Sequence, residues 1–240
     1  MSRRAMLAVC SGLSVCVPLA RGGSPIEIGE GDATVFTGES VLWVHAFGDG
    51  AVSMLGGEIR GFQNRAALGG SPESGVSVVD NARFVINNGQ VRYDVTVEDD
   101  GLVTNTGGQI VQSVLVSDRG EFISTGGEVL GTTRFTEDAT LDLRGGELGV
   151  VVLEDNTSGA CTGGSCELFA AHDAASLRID GTTVPQVGAI GTAQVEIEDG
   201  AIDDVLMGAS SALSLSGGDV LFAQLMDEAH FGFSGGVVSG

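Results

Sequence analysis

The amino-acid sequence predicts an all-β protein, a parallel β-helix solenoid with 18–19-residue coils and about eleven coils. Three observations support this prediction. Glycine steps recur at a nearly constant interval along most of the chain. Apolar and polar residues alternate on both sides of each step, which is typical of strands with one buried face. The composition, with 39 glycines and 42% hydrophobic residues, excludes both a disordered chain and collagen.

The recurring Gly-Gly or Asn-Gly step defines the coil length. Successive steps are 19, 13, 19, 19, 19, 19, 18, 18, 18, 18 and 18 residues apart. A fixed period of this size is the signature of a repeat architecture. The short interval before Gly70 predicts an irregular coil near the N-terminal end. The anchor positions are Gly38, Gly57, Gly70, Gly89, Gly108, Gly127, Gly146, Gly164, Thr182, Gly200, Gly218 and Gly236.

The apolar positions within each repeat indicate which side chains point inward. Phe122 stands five places before an anchor and Val129 two places after it, and most other repeats are apolar at the same places. A parallel β-helix stacks such positions about 4.8 Å apart, so each inward column stays apolar. A meander of antiparallel hairpins is the alternative, but it does not require so constant a period. We therefore expect two or three short strands per coil, with glycine at the bend because it tolerates positive φ.

The two ends of the chain carry separate expectations. Residues 1–22 are expected to be a signal peptide, because Arg3 and Arg4 precede an apolar stretch of small residues. The alternative for this stretch is a buried first strand or helix. Residues 23–240 are expected to form a single β-helix domain that continues beyond the chain end, since Val238 lies in mid-coil with no polar cap. Otherwise, the open C-terminal coil is expected to associate end to end with another chain.

The charge of the chain excludes several partners. Its 32 acidic and 11 basic residues give a formal net charge of −21, and all the basic residues are arginines. Nucleic acids and anionic membrane surfaces require clustered basic groups, so neither is an expected partner. No second apolar stretch is long enough to predict a transmembrane helix. Together with the expected signal peptide, these features predict a secreted or cell-surface protein.

Cys161 and Cys166 flank a Thr-Gly-Gly-Ser turn and are expected to form a short-loop disulfide in an exported chain. Free thiols are the alternative. A metal site would need further ligands, and no second cysteine pair or histidine cluster stands nearby.

Aspartates recur after the glycine anchors, so stacking would place them in a line. Asp80, Asp99, Asp118 and Asp138 are the candidate calcium ligands of such a ladder, because oxygen-rich sites suit Ca²⁺. The favoured interpretation is that these aspartates bond their own backbone in turns on a solvated face. The chain lacks a Gly-Gly-x-Gly-x-Asp nonapeptide series, which counts against calcium. No cofactor is predicted.

The coils, such as Phe122-Ile-Ser-Thr-Gly-Gly-Glu-Val129, resemble the passenger regions of bacterial autotransporter adhesins and related pectin-lyase-like β-helix surface proteins. The resemblance covers about residues 33–240. It implies a secreted or cell-surface rod that takes part in adhesion or matrix contact, with surface glycans or matrix and host proteins as partners.

We therefore expect a structural or adhesive rod that binds through its faces and has no catalytic centre. The alternative is a carbohydrate-active β-helix, a polysaccharide lyase or hydrolase. Such enzymes need acidic groups clustered with a basic residue. The arginines do not converge on one repeat position, and Arg144 beside Glu147 is the nearest approach to such a cluster.

Overall fold

The computed structural model describes residues 15–16, 26–31, 33–60 and 74–239. These residues form a parallel β-solenoid of about eleven turns. Every strand pairing found in them is parallel, and they contain no helix. The all-β parallel solenoid predicted from the glycine period is therefore confirmed.

Most strands are short, and several run around a corner of the solenoid. In chain order they are β1 (Val15–Cys16), β2 (Ile26–Ile28), β3 (Ala33–Val41), β4 (Val44–Ala46), β5 (Ala51–Ile59), β6 (Ser74–Val78), β7 (Arg83–Ile86), β8 (Gln90–Val91), β9 (Asp94–Val97), β10 (Leu102–Ile110), β11 (Val114–Val116), β12 (Glu121–Phe135), β13 (Thr140–Leu153), β14 (Ser158–Cys161), β15 (Ser165–Ala171), β16 (Ser176–Ala189), β17 (Gln194–Met207), β18 (Ala212–Leu215), β19 (Asp219–Leu225), β20 (His230–Phe233) and β21 (Val237–Val238).

Each coil has three faces, which one coil is enough to define. The first face is formed by residues 102–105 of β10, the second by residues 109–110 of β10 and the third by β11. Residues of one coil pair in register with those 18 or 19 places later, as Val103 does with Phe122 and Val114 with Thr133. A glycine bend separates the first and second faces, and an acidic turn joins the third face to the first face of the next coil.

The sequence predicts an irregular coil at the short interval after β5, and the strand pairing shows that this coil is enlarged. β4 pairs with β6 and β5 pairs with β7, so Val44 lies beside Val76 and Val52 beside Phe84, each 32 residues apart. The two intervals of 13 and 19 residues therefore belong to one enlarged coil. The extra residues of this coil, 61–73, include the Gly70 anchor and lie outside the described residues.

The core is a set of stacked apolar columns, one for each inward position. Phe84, Phe122 and Phe135 are fully buried, and inward residues of the inner coils have exposed fractions close to zero on all three faces. Polar side chains that enter a column at the bend, such as Asn105 and Ser124, form hydrogen bonds with the backbone. Asn105 accepts a hydrogen bond from the Gly108 N–H (2.9 Å) and donates one to the Gly108 carbonyl (3.2 Å).

Glycine is required at the bend for two reasons that Gly146 illustrates. Its φ is +90°, and a Cβ there would lie 2.7 Å from the carbonyl oxygen of Gly127 in the preceding coil. The Thr182 anchor breaks the glycine pattern without strain. Its neighbour Gly181 takes the positive φ (+88°) instead, and the Thr182 hydroxyl donates to the Gly163 carbonyl (3.3 Å).

The expected signal peptide, residues 1–22, lies outside the described residues except for Val15–Cys16, which form β1 and pair with Thr34 and Val35. Within the part of the chain that is described, no helix is long and apolar enough to cross a membrane.

Candidate functional site

One corner of the solenoid carries a column of acidic residues. Asp118 adopts a left-handed backbone conformation with φ of +57°, and the turn around it closes through a hydrogen bond from the Gly120 N–H to the Ser117 carbonyl (3.0 Å). The same turn recurs coil after coil. The positive-φ residues of these turns are Gly48, Asp80, Asp99, Asp118, Glu137, Asp155, Asp173, Gly191, Ala209 and Asp227.

The carboxylates in this column bond the backbone of the preceding coil. The Gly48 N–H donates to Asp80 Oδ2 (3.0 Å), and the Glu137 N–H donates to Asp155 Oδ2 (3.2 Å). A longer contact joins the Asp99 N–H to Asp118 Oδ2 (3.4 Å). Aspartate therefore satisfies turn amides that would otherwise face only water, a structural use of the side chain.

Three of the four candidate calcium ligands, Asp80, Asp99 and Asp118, occupy this column, and the fourth does not. Glu137 takes the stacked position, while Asp138 is displaced by one residue and accepts a hydrogen bond from the Asn156 amide (2.7 Å). Across the described ranges, no three His, Cys, Asp or Glu side chains are grouped so that they could hold a metal ion.

Glu137 is the carboxyl group in this column whose pKa lies above its ordinary value. The main cause is a hydrogen bond to the Asp118 side chain, which favours the protonated acid, and the negative charge of Asp118 adds to it. Desolvation and the charge of Asp155 act in the same direction. The neighbouring Asp118 therefore favours the protonated form of Glu137.

Cys161 and Cys166 are free thiols, so the expected disulfide is not formed in the structure. The two side chains fill different core columns. Cys161 stacks between Leu143 and Ile179, whereas Cys166 pairs with Leu148 on the second face. Both act as small apolar side chains, and desolvation raises the pKa of Cys166 to about 12.

The arginines form ion pairs along the faces. Arg119 reaches Asp100 of the preceding coil (2.5 Å), and Arg134 reaches Glu154 of the next coil (2.5 Å). Arg144, expected near Glu147, pairs with Asp142 instead. Further pairs in the described part of the chain join Arg60 and Arg92 with Glu58, and Arg178 with Asp180 and Glu198.

These pairings hold carboxylates in the charged form. The hydrogen bond from Arg60 is the largest cause of the lowered pKa of Glu58, and Arg119 lowers the pKa of Asp100 in the same way. The hydrogen bond from Arg178 likewise lowers the pKa of Glu198. A general acid needs the opposite shift, so these three carboxylates are unsuited to donating a proton near neutral pH.

The second face carries a ladder of amides and carboxylates. Gln90 Nε2 donates to Gln109 Oε1 (2.5 Å), and Gln109 Nε2 donates to Glu128 Oε2 (2.7 Å). Glu147 follows Glu128 in register. The ladder therefore presents hydrogen-bonding groups in consecutive coils at the spacing of stacked strands, about 4.8 Å.

A shallow groove of about 270 Å³ lies beside Glu128 and Glu147 of this ladder, and we call it the second-face groove. Its polar lining combines carboxylates with hydroxyls, and Leu130, 52% exposed, supplies an apolar wall. Carboxylates and hydroxyls accept hydrogen bonds from polyhydroxylated ligands, while apolar walls pack against sugar rings. Its side-chain lining includes Glu128, Leu130, Glu147, Ser165, Glu167, Thr183 and Pro185.

A second groove, of about 390 Å³, lies on the first face toward the C-terminal end. Arg178, Gln194, Glu196 and Ser214 supply its polar lining. Both grooves are open depressions along a sheet face, so they suit extended ligands better than small enclosed ones.

The repeat spacing is enough to align the ladder residues, since Gln90, Gln109, Glu128 and Glu147 each stand directly after a glycine anchor. The groove walls Leu130 and Pro185 were not identified, because a residue two places beyond the ladder can be recognised as a wall only when the corner geometry is known. Comparison of the chain with family models, curated proteins and solved structures finds no match.

Proposed function

We propose that the protein is a structural or adhesive rod, exported to the cell surface or the extracellular space, that binds extended partners through its faces. The observation that carries this proposal is the second-face ladder, in which Gln90, Gln109, Glu128 and Glu147 repeat coil by coil and the last two line a groove. A linear array of equal spacing suits a polymer that repeats in the same direction. Surface glycans and matrix or host proteins are the proposed partners.

The exported location and the likeness to autotransporter passenger regions and pectin-lyase-like β-helices belong to the same proposal. They are supported by the apolar segment after Arg3 and Arg4, and by the solenoid itself. A rod without lysine that carries a charge of −21 is also kept soluble by mutual repulsion.

Binding and cleavage are measured side by side to test the proposal. The chain is screened against arrays of glycans and matrix proteins, and reducing sugar is assayed with every glycan that binds. We expect binding without sugar release. The double variant Glu128→Ala/Glu147→Ala should lose binding to the groove ligand. The first-face variant Glu196→Ala is the matched control and should retain it.

Three outcomes would contradict the proposal. Release of sugar by the unmodified chain would replace the rod with an enzyme, and the absence of binding to every array member would remove the adhesive role. Equal loss of binding in the Glu196→Ala control would show that general charge, rather than the groove, determines affinity.

A carbohydrate-active β-helix is the second candidate, favoured by one observation. Glu137 with its raised pKa beside Asp118 resembles the acid and base pair of a glycosidase. A direct hydrogen bond between these carboxyls leaves no space between them for a glycosidic bond, for which such pairs stand about 5–9.5 Å apart. If the chain nevertheless releases sugar, Glu137→Gln should abolish that activity.

A further inference from the structure

The bend between β7 and β8 contains an asparagine directly before its glycine anchor. Most other coils have a second glycine at this place, as Gly107, Gly126 and Gly145 show. Here the residue is Asn88, whose side chain is exposed. Its Oδ1 accepts a hydrogen bond from the Gly89 N–H (2.7 Å). The main-chain nitrogen of Gly89 therefore lies against the side-chain amide of the residue before it.

This contact brings together two groups that can react. When the Gly89 nitrogen loses its proton, the electron pair left behind lies along the former N–H direction, which points at the Asn88 amide. Asn88 Cγ, the carbon bonded to Oδ1, is then next to that nitrogen, as in a near-attack conformer. Gly89 also has no Cβ that would shield its nitrogen.

Other asparagines of the described residues do not share this arrangement. Asn105 is buried and bonds Gly108 through both ends of its amide. After Asn81, Asn87 and Asn156, the following N–H group points at a main-chain carbonyl instead. The bonds donated by these N–H groups run from Ala82 to Val79 (3.2 Å), from Asn88 to Met54 (3.4 Å) and from Thr157 to Glu154 (3.3 Å).

We propose that the bend at Asn88 and Gly89 modifies itself in the folded protein, converting Asn88 to aspartate and isoaspartate. A bond forms between the Gly89 nitrogen and Asn88 Cγ, and the bond from Cγ to Nδ2 breaks. The leaving NH2 group takes up the proton lost by the Gly89 nitrogen and departs as ammonia. Water then opens the resulting cyclic imide at either of its two carbonyl groups, and no other reactant is required.

Both products change the bend. Aspartate adds a negative charge directly before Gly89, close in sequence to Gln90 of the second-face ladder. Isoaspartate routes the main chain through the former side chain and so lengthens it by one carbon atom. The Gly89 carbonyl accepts a hydrogen bond from the Gln109 N–H of the next coil (2.9 Å). Isoaspartate should displace that carbonyl, so we expect the fraction that contains it to unfold at a lower urea concentration.

Asp199 and Gly200 form the same contact with a carboxylate in place of the amide. The Gly200 N–H donates to Asp199 Oδ1 (2.8 Å). A carboxylate repels the deprotonated nitrogen and would have to lose an oxygen instead of ammonia. Isomerisation at Asp199 should therefore be much slower than at Asn88 near neutral pH.

Incubation of the 240-residue chain at neutral and at alkaline pH, followed by trypsin digestion and mass spectrometry, tests the proposal. Residues 84–92 form one tryptic peptide, which contains both Asn87 and Asn88. We expect this peptide to gain the mass difference between an amide and an acid, located at Asn88 by fragmentation. The reaction should be faster at alkaline pH, because the attacking nitrogen must lose its proton.

Two variants identify the products and the reacting group. Asn88→Asp provides the aspartate form of the peptide as a standard, so a second peak of equal mass is the isoaspartate form. Asn88→Gln should lose the modification, because its longer side chain would have to close a larger ring. Asn87 and Asn156 are the internal controls and should remain amides while Asn88 reacts.

A parallel incubation in urea separates the effect of the fold from that of the local sequence. We expect Asn88 to react in the native protein at least as fast as in the unfolded chain, because the bend already holds the nitrogen against the amide. The proposal is overturned if Asn88 reacts in urea but is unchanged in the native protein. It is also overturned if Asn87 and Asn156 of the native protein react as fast as Asn88.

Discussion

Thr133 is an inward-facing residue whose buried hydroxyl group destabilises the folded state. It is completely buried on the third face, and its Oγ1 has no hydrogen-bond partner. Val114 and Val151 stand in the same column in the coils before and after it. Valine has almost the same shape as threonine, so Thr133→Val should replace an unsatisfied hydroxyl with a methyl group that the column already accepts on both sides.

The expected stabilisation follows from the cost of burying an unpaired hydroxyl, about 1–3 kcal/mol in proteins. We expect Thr133→Val to recover about 1–2 kcal/mol of the free energy of unfolding. For a chain of this size, each kcal/mol corresponds to about 2–4 °C in the midpoint of thermal unfolding. Urea unfolding followed by circular dichroism should show a higher midpoint with an unchanged slope.

Thr132→Val provides the matched control for this measurement. Thr132 is the preceding residue on the same strand, is only partly buried and points away from the core. Its substitution should change the midpoint little, because its hydroxyl already meets water. A midpoint that is lower or unchanged in Thr133→Val would refute the reasoning, since it would mean that the hydroxyl has a partner in the core.

The remaining predictions concern backbone conformation, proton binding and the thiols. Ala209 adopts a φ of +54°, which is unfavourable for a residue with a Cβ. Ala209→Gly should therefore raise the free energy of unfolding, measured with urea, by roughly 0.5–1 kcal/mol. Gly146→Ala should lower the free energy of unfolding by more than about 1 kcal/mol, because the new Cβ would collide with the Gly127 carbonyl. The raised pKa of Glu137 means that its contribution to stability is present in acid and is lost as the pH rises through that pKa. Glu137→Gln should therefore stabilise the protein at pH 7 but not in acid, as urea midpoints at the two pH values will show. Mass spectrometry after iodoacetamide treatment should find Cys161 and Cys166 unmodified in the native protein and both modified after unfolding. Rapid labelling of the native protein would contradict their burial.

The sequence was sufficient to predict the solenoid because its determinants are local and repeated. Each coil must place glycine at the bend and apolar residues at fixed distances from it, so the same short pattern recurs. The parallel stacking of the coils then follows directly from the constant period. The Thr182 anchor follows the same rule, since Gly181 assumes the positive φ that the bend requires.

Other features depended on geometry that spacing does not carry. The enlarged coil could not be recognised from Gly70, because a glycine pair inside an insertion looks like a bend until strand pairing is known. The shift from Asp138 to Glu137 is a displacement by one residue, too small to separate two adjacent acids by counting. Likewise, Cys161 and Cys166 lie close in sequence, but the bend between them assigns them to two core columns.

A nearest-neighbour architecture also determines where binding can change during evolution. Each coil contacts only the coils beside it, so a substitution on an outward column alters at most two neighbouring ladder contacts. The Gln109 side chain, for example, bonds those of Gln90 and Glu128 in the two neighbouring coils. Outward residues can consequently vary while the inward columns keep the rod folded. If the rod binds through its faces, its specificity should be transferable by exchanging outward residues of a few coils, with little change in the free energy of unfolding.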